Sequence, residues 1–303
     1  MTSTSQPNSP PLVTQTDALR DALAAARQGG RSIGLVPTMG ALHEGHLSLV
    51  DASAAECGLT VVTIFVNPTQ FGPGEDFGRY PRTLERDLAL LAGRGANLVF
   101  APSTAALYRP GHATRVEVDR VTAEFEGRFR PGHFSGVATI VLKLLQLAAP
   151  NVAYFGQKDF QQCVVIRRMA ADLDLPVAMR VLPTLREPDG LAMSSRNAYL
   201  SPSERQQALG VISALRSAAA MAAGGQRSAA PIIRRMRQQL RAAGLEPIDY
   251  AALVDPNDLA PIEQLSGPTL ALIAAHAGRT RLIDNLLFGL DGTELDLRAG
   301  EAP

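Results

Sequence analysis

Leu35-Val36-Pro37-Thr38-Met39-Gly40-Ala41-Leu42-His43-Glu44-Gly45-His46-Leu47 is the stretch that sets the fold class of this chain. It begins at the end of an apolar run, Ile33 to Val36, short enough for a buried strand. Pro37 and Gly40 break the run. A helical pattern follows, with Leu47, Val50 and Ala54 three or four residues apart. Strand, tight loop and helix together aim backbone N–H groups and a helix N-terminus at an anion. His43 and His46 stand at the expected helix start, and a spacing of three puts them on one face of its first turn.

Outward from this stretch, strand and helix patterns alternate. Thr16 to Gln28 is amphipathic, with Leu19 and Leu23 on one face and Gly29-Gly30 as its stop. Leu59 to Val66 is β-branched and apolar nearly throughout, the look of a parallel strand covered on both faces. Thr83–Ala92 predicts a helix and Asn97–Ala101 a strand. Val137–Leu147 predicts an apolar helix, Val152–Phe155 a strand, and Gly156-Gln157-Lys158-Asp159 the opening of a helix to about Leu173. Val177–Leu182 closes the series as a strand. The alternation predicts a Rossmann-like, doubly wound parallel α/β sheet, with ligands beyond the carboxyl ends of its strands. A smaller α+β unit is expected after it. Ser201-Pro202-Ser203-Glu204 is a capping box with proline in the first turn, and its helix runs to about Ala223. A second helix spans Ala230–Ala243; strands are expected at Ile248–Val254, Thr269–Ala275 and Arg281–Leu286. The predicted organisation is therefore a disordered tail over 1–12, a nucleotide-binding domain over 13–185, a lid domain over 186–290 entered through the loop Arg186–Asn197, and a polar tail over 291–303.

Composition excludes several classes. The chain has 303 residues, 46% hydrophobic and 19% charged, and equal Lys+Arg and Asp+Glu counts of 29 give no net charge. A large nucleic-acid footprint normally shows as a basic excess. The two cysteines, Cys57 and Cys163, form no metal spacing and read as buried thiols in a cytoplasmic protein. No apolar run is long enough to span a bilayer, and the N-terminus carries no signal-peptide pattern.

Four groups of residues carry chemistry. His43 and His46 suit a zinc pair, an incidental helix start or a phosphate contact. No third metal ligand follows at a recognisable spacing, and the preceding strand and Pro-Thr-Met-Gly turn favour phosphate. Lys158 in a first helical turn opposes the helix dipole, which an anionic ligand would reverse. Ser194-Ser195-Arg196 offers two hydroxyls and a guanidinium fork on a loop able to close. Asn67 and Gln70 are amides at a strand end, with turn and cap chemistry as the plain alternative. Arg130 and His133 lie in a glycine-bearing loop. His112 and His276 stand outside any cluster.

These motifs together resemble one family. Pro37 to His46, Phe65-Val66-Asn67-Pro68-Thr69-Gln70-Phe71, Arg130-Pro131-Gly132-His133-Phe134, Phe155 to Gln162 and Asp189 to Asn197 are similar in order and content to the pantothenate synthetases, or pantoate–β-alanine ligases. These belong to the HxGH nucleotidyltransferases, relatives of class I aminoacyl-tRNA synthetases. The likeness spans about residues 12 to 290. Two positions depart from the family pattern: Ser135, where many members carry Arg, and Leu185, where Val or Ile is usual. The resemblance implies that ATP and (R)-pantoate form pantoyl adenylate and pyrophosphate, and that β-alanine then yields pantothenate and AMP. It implies catalytic roles for His43, His46, Lys158, Ser194, Ser195 and Arg196. Pro37, Thr38, Met39, Gly40, Gly156, Asp159, Leu185 and Met193 join them around ATP. Gln70, Gln162, Asn67, Met39 and His133 fall on the pantoate side. Mg²⁺ is expected on the phosphates with no metal site of the protein's own, and the family is usually a homodimer. Another HxGH adenylyltransferase, or a non-catalytic nucleotide-binding regulator, is the competing expectation.

Overall fold

The computed structural model describes residues 9–297. Its first half is a six-stranded parallel sheet. In chain order the elements are β1 (Leu12–Val13), α1 (Thr16–Gln28), β2 (Ile33–Thr38), α2 (Glu44–Glu56), β3 (Leu59–Ile64), α3 (Leu84–Leu91), β4 (Leu98–Phe100), α4 (Thr104–Leu107), α5 (Glu126–Phe129), α6 (His133–Ala148), β5 (Val152–Gly156), α7 (Phe160–Asp172) and β6 (Ala178–Leu182). The strand order is β1-β4-β3-β2-β5-β6. The chain moves outward on one side of β2 and returns on the other, so the order reverses between β2 and β5. Only Gly34↔Val152 and Leu35↔Ala153 are paired there. Both strands run on past that ladder, and their carboxyl ends part into a crevice where ligands of doubly wound sheets bind.

Period-two alternation covers both faces of the sheet. Ile33, Leu35 and Val61 pack with Leu19 and Leu23 of α1, Val137 and Leu144 of α6, and Ile166 and Met169 of α7. Their neighbours Val36, Val62 and Val99 pack on the other face with Leu47 and Val50 of α2 and Leu91 of α3.

The second half adds α8 (Pro202–Ala223), α9 (Ala229–Ala242), β7 (Ile248–Val254), β8 (Thr269–Ala277), β9 (Thr280–Phe288) and β10 (Glu294–Leu295). These strands form an antiparallel sheet in the order β10-β9-β8-β7. One face packs on α8 and α9 through Leu215, Ile232, Leu253, Ile273 and Phe288. The other face, with Val254, Leu270, Leu272 and Leu287, lies against Phe125 and against Phe160 and Val164 of α7. An apolar seam thus joins the antiparallel sheet to α7 of the first half.

Several elements differ from the sequence expectation. Residues 291–303 were expected to be a polar tail, but β10 pairs with β9 through Glu294↔Phe288 and Leu295↔Leu287. The Leu297 N–H donates to Gln157 Oε1 at 3.2 Å. At the other end Leu12 belongs to β1, paired with β4. The remainder of both expected tails, residues 1–8 and 298–303, lies outside the described residues. Helix α6 begins at His133, one turn before the apolar run that announced it. Lys158 does not sit in the first turn of an α-helix. It lies in a 3-10 turn, Gln157–Asp159, that precedes α7. Asn285 of β9 explains the placement, since its Nδ2 donates to the Gln157 and Lys158 carbonyls at 3.0 and 2.8 Å and ties the turn across to the second sheet.

Candidate active site

The loop after β2 is held from behind by a buried carboxylate. Asp87 of α3, 1% exposed, accepts from the Ala41 and Leu42 N–H groups at 3.0 and 2.9 Å and from Thr83 Oγ1 at 3.2 Å. Gly40 and Ala41 both have positive φ, +82° and +50°, which glycine adopts freely and alanine at a cost. Two charge-assisted hydrogen bonds to the loop hold Ala41 there. Thr38 Oγ1 donates to the Thr63 carbonyl and accepts from Gly40 N–H. Gly40, expected beside ATP, makes this turn and lies behind the cavity lining.

The turn delivers two imidazoles to the N-terminus of α2. His43 is the N-cap, with Nδ1 accepting from Gly45 N–H at 3.2 Å, and His46 Nδ1 accepts from His43 N–H at 3.4 Å. The ring centroids are 4.1 Å apart. A Cβ on Gly45 would stand 2.9 Å from His43 Cε1, so glycine is what lets the ring fold over the first turn. Burial first, then the Lys158 charge, lowers the His43 pKa to about 4. Burial, the neighbouring His43 and Lys158 lower that of His46 to about 3. Both rings are therefore neutral near pH 7. With Nδ1 accepting, the proton sits on Nε2, which makes each ring a neutral N–H donor.

Both rings line a cavity of about 470 Å³ at the mouth of the β2/β5 crevice. Pro37, Thr38, Met39, Gly156, Lys158 and Asp159 form one part of its wall; Leu185, Met193, Ser194, Ser195 and Arg196 form another. Lys158 has one carboxylate within reach among the described residues, Asp159 at 3.9 Å. Among the described residues no group of three His, Cys, Asp or Glu side chains is placed to hold a metal ion.

Asn67, Gln70, His133 and Gln162 line the cavity as well. Asn67 is 1% exposed. Its Nδ2 donates to Gln70 Oε1 at 3.0 Å and to the Gly136 carbonyl at 3.1 Å, while its Oδ1 accepts from Tyr108 OH at 2.8 Å and Thr69 Oγ1 at 3.0 Å. Gln70 Nε2 donates to Met39 Sδ at 3.1 Å. The Asn67–Gln70 turn rests directly on α6. A Cβ on Gly136 would lie 2.4 Å from the Thr69 carbonyl oxygen, so only glycine permits the approach. Arg130 grips Glu75 through Nε at 2.8 Å and Nη2 at 2.6 Å. His133 is held neutral, its pKa lowered to about 4 by burial and then by Arg130. Its Nδ1–H donates to the Gln70 carbonyl at 2.8 Å, and its Nε2 accepts from Arg130 Nη1 at 3.1 Å. His133 lines the cavity, but both ring nitrogens are engaged within the protein.

The loop expected to clamp phosphate is engaged as well. Arg196 forms a two-pronged ion pair with Asp76, at 2.9 Å through both Nε and Nη2, and its guanidinium lies 5.6 Å from the Tyr80 ring centre. Burial pushes the Asp76 carboxyl up, but the Arg196 hydrogen bonds and charge outweigh it and hold the pKa below the usual range. Ser195 Oγ pairs with Tyr80 OH at 3.1 Å, Tyr199 OH donates to the Arg79 carbonyl at 3.2 Å, and Ser194 Oγ accepts from Arg196 N–H. Both cysteines are buried and free, and burial raises the Cys163 thiol to about 12. His276, given no role from sequence, also lines the cavity, 3.6 Å from Asp249.

Sequence reasoning missed Asp87, Glu75, Asp76, Tyr80 and Gly136. Asp87 looks like any acidic residue in Leu84–Leu91, and Gly136 like any small residue in an apolar helix. Their partners lie on other elements, so no local spacing marks them.

A doubly wound sheet whose switch-point cavity joins two imidazole donors at a helix N-terminus, a lysine and a serine–arginine loop defines a nucleotide-binding α/β protein. A profile of the pantoate-beta-alanine ligase family matches residues 11–287. A pantothenate synthetase of Moorella thermoacetica is 50% identical over 277 residues, covering 91% of this chain and 98% of the relative. One of Roseiflexus sp. is 52% identical over 277 residues, covering 91% and 99%. The crystal structure of the Thermus thermophilus pantothenate synthetase superposes with a TM-score of 0.87 at 46% identity, covering 91% of this chain and 98% of that one. A Francisella tularensis pantoate-beta-alanine ligase, complexed with beta-gamma ATP and beta-alanine, has a TM-score of 0.76 at 32% identity, covering 92% and 97%. The chain belongs to the pantoate–β-alanine ligase family.

Proposed function

We propose that this chain condenses pantoate with β-alanine at the expense of ATP, through pantoyl adenylate. The observation that carries the reading is that one cavity is lined both by donors suited to an anion and by a group of amides, the amide wall. ATP lies along Met39, His43, His46, Lys158 and the Ser194–Arg196 loop, and pantoate lies against Gln70 and Gln162 with Asn67 behind them. A pantoate carboxylate oxygen attacks the α-phosphorus, and the bond to pyrophosphate breaks. The β-alanine nitrogen then attacks the acyl carbon, AMP leaves with the bonding pair, and the amine loses its proton.

No protein nucleophile is needed. Bringing a carboxylate to a triphosphate is opposed by charge, so the barrier falls mainly through positioning and through donors preset on the phosphates. Two neutral imidazole N–H groups and the Lys158 ammonium are such donors. Mg²⁺ on the phosphate oxygens would add charge neutralisation. Among the described carboxylates that line the cavity, Asp159 alone is not paired with an arginine and fits a role beside it. The reading includes a homodimer in the cytoplasm, and sedimentation at the mass of a single chain would overturn the dimer.

Incubation with ATP, pantoate and β-alanine tests the activity. AMP formation that requires pantoate supports it; AMP without pantoate, or ADP as product, overturns it in favour of another adenylyltransferase or a different phosphoryl transfer.

A further inference from the structure

Glu126, at the start of α5, is 5% exposed and lies between two guanidinium groups. Its Oε1 accepts from Tyr250 OH at 2.8 Å and from Arg281 Nη2 at 2.6 Å. Its Oε2 accepts from Arg281 Nη1 at 2.8 Å and stands 3.6 Å from Arg130 Nη1. Tyr250 and Arg281 belong to β7 and β9, so the carboxylate is reached from the antiparallel sheet on one side and from the cavity wall on the other. Arg281 is itself fixed by Asp249 through Nε at 2.7 Å. The backbone is pinned too, because Glu126 N–H donates to Gln161 Oε1 at 3.0 Å and Gln161 Nε2 returns to the Val121 and Glu124 carbonyls. A four-residue helix has almost no ladder of its own, so these side chains decide where α5 sits.

We propose that Glu126 is a positioning residue for pantoate binding, acting through Arg130 on His133 and the Gln70 backbone. The links run Arg281 and Tyr250 to Glu126, Glu126 to Arg130, Arg130 to His133, and His133 to the Gln70 carbonyl. Arg130 faces two anions. Glu75 holds its outer edge from the loop before Asp76, and Glu126 draws Nη1 inward, where it meets His133 Nε2. Without the Glu126 charge the guanidinium is drawn toward Glu75 alone, and two cations face each other with no anion between them. His133 then loses the donor that sets its tautomer, and Gln70 loses the support that aims its amide. In this way Tyr250 and Arg281 of the antiparallel sheet shape the pantoate wall through Glu126.

The inference rests on the amide wall being the pantoate side, and pantoate-dependent AMP formation by the unaltered protein tests that separately. Glu126→Gln keeps shape and one acceptor but removes the charge. Its KM for pantoate should rise about tenfold, the scale of a lost charge-assisted hydrogen bond, while KM for ATP stays within about twofold. Added to Arg130→Ala, it should change pantoate KM by less than about twofold, because the two act along one path. A pantoate KM unchanged in Glu126→Gln, an equal rise for both substrates, or additive effects in the double variant would each overturn the inference. Should Glu126→Gln not fold, Tyr250→Phe removes one donor to the same carboxylate. A selective rise in pantoate KM then supports the path, and equal or no change sinks it.

Discussion

On the proposed phosphate side of the cavity, His43 and His46 each use one ring nitrogen on a backbone N–H and leave the other as a donor, and Lys158 stands 3.9 Å from Asp159. On the amide side, Asn67, Gln70, Arg130 and His133 use their polar atoms on one another, on Glu75, on Met39 and on Gly136. The contrast fits the ligands we propose for the two sides. A triphosphate brings its own charge, so donors there can stand open and find their partner on binding. A hydroxy acid brings one carboxylate and neutral hydroxyls, and an amide can flip, so an amide wall meant for those hydroxyls gains from being oriented before the substrate arrives. Damage to the open wall should therefore stay local, and damage to the wired wall should spread.

The largest effect is expected on the open wall. His43→Ala, His46→Ala and Lys158→Ala should each slow single-turnover pyrophosphate release by about a hundredfold or more, the scale of losing one preset donor at developing charge. Rates near the unaltered value in all three would erase the contrast. On the wired wall, Gly136→Ala drives a methyl group into the Thr69 carbonyl. It should cost about 1–3 kcal/mol of stability, an overpacking penalty, and should weaken pantoate binding as well. Thermal unfolding and a pantoate titration check both, and an unchanged melting temperature would mean the wall yields more readily than its contacts suggest. Gln70→Ala should weaken pantoate binding about tenfold with ATP binding nearly intact; equal loss of both ligands would break the division into two walls.

Smaller effects should come from the groups that close on each other. Asp76→Asn frees Arg196 from its ion pair and should lower KM for ATP by about twofold to threefold, since the triphosphate no longer competes with a carboxylate. A raised KM would show that the pair positions the loop instead of restraining it. Acidity should act on both walls alike. His43, His46 and His133 keep their protons off down to about pH 4 for His43 and His133 and about 3 for His46, whereas their unfolded counterparts take protons near 6.5. The unfolded state then binds more protons, so stability is full above about pH 6.5 and declines as pH falls toward 4. Urea unfolding at pH 7 and pH 5 reads this directly, and a flat profile would contradict the neutral, buried rings.

Much of the architecture was legible because it rests on neighbours in sequence. Thr16–Gln28 announced α1 by its apolar face and its terminal glycines, and Ser201-Pro202-Ser203-Glu204 announced α8 by a capping box that forms with both hydrogen bonds. The residues of the candidate site were legible as types, since the histidine, lysine and amide motifs follow strand ends and the serine–arginine motif sits in a polar loop. Their partners were not. Leu12–Val13 and Glu294–Leu295 are too short and too polar in context to announce strands, and they become strands because β4 and β9 offer open edges. Lys158 was expected in a helical turn, and the pull of Asn285 across the seam placed it in a 3-10 turn instead.

By itself, then, the sequence determined the alternation of strand and helix, the break at Pro37–Gly40, the histidine spacing and the family. Each depends on sterics and periodicity within a few residues. Only the tertiary structure decided that Asp87 sits under the opening loop, that Gly136 bears the Asn67 turn, and that Arg196 rests on Asp76, 120 residues away. A buried polar atom must find a partner or lose the free energy of its hydration. Which partner it finds depends on the elements that the fold brings together.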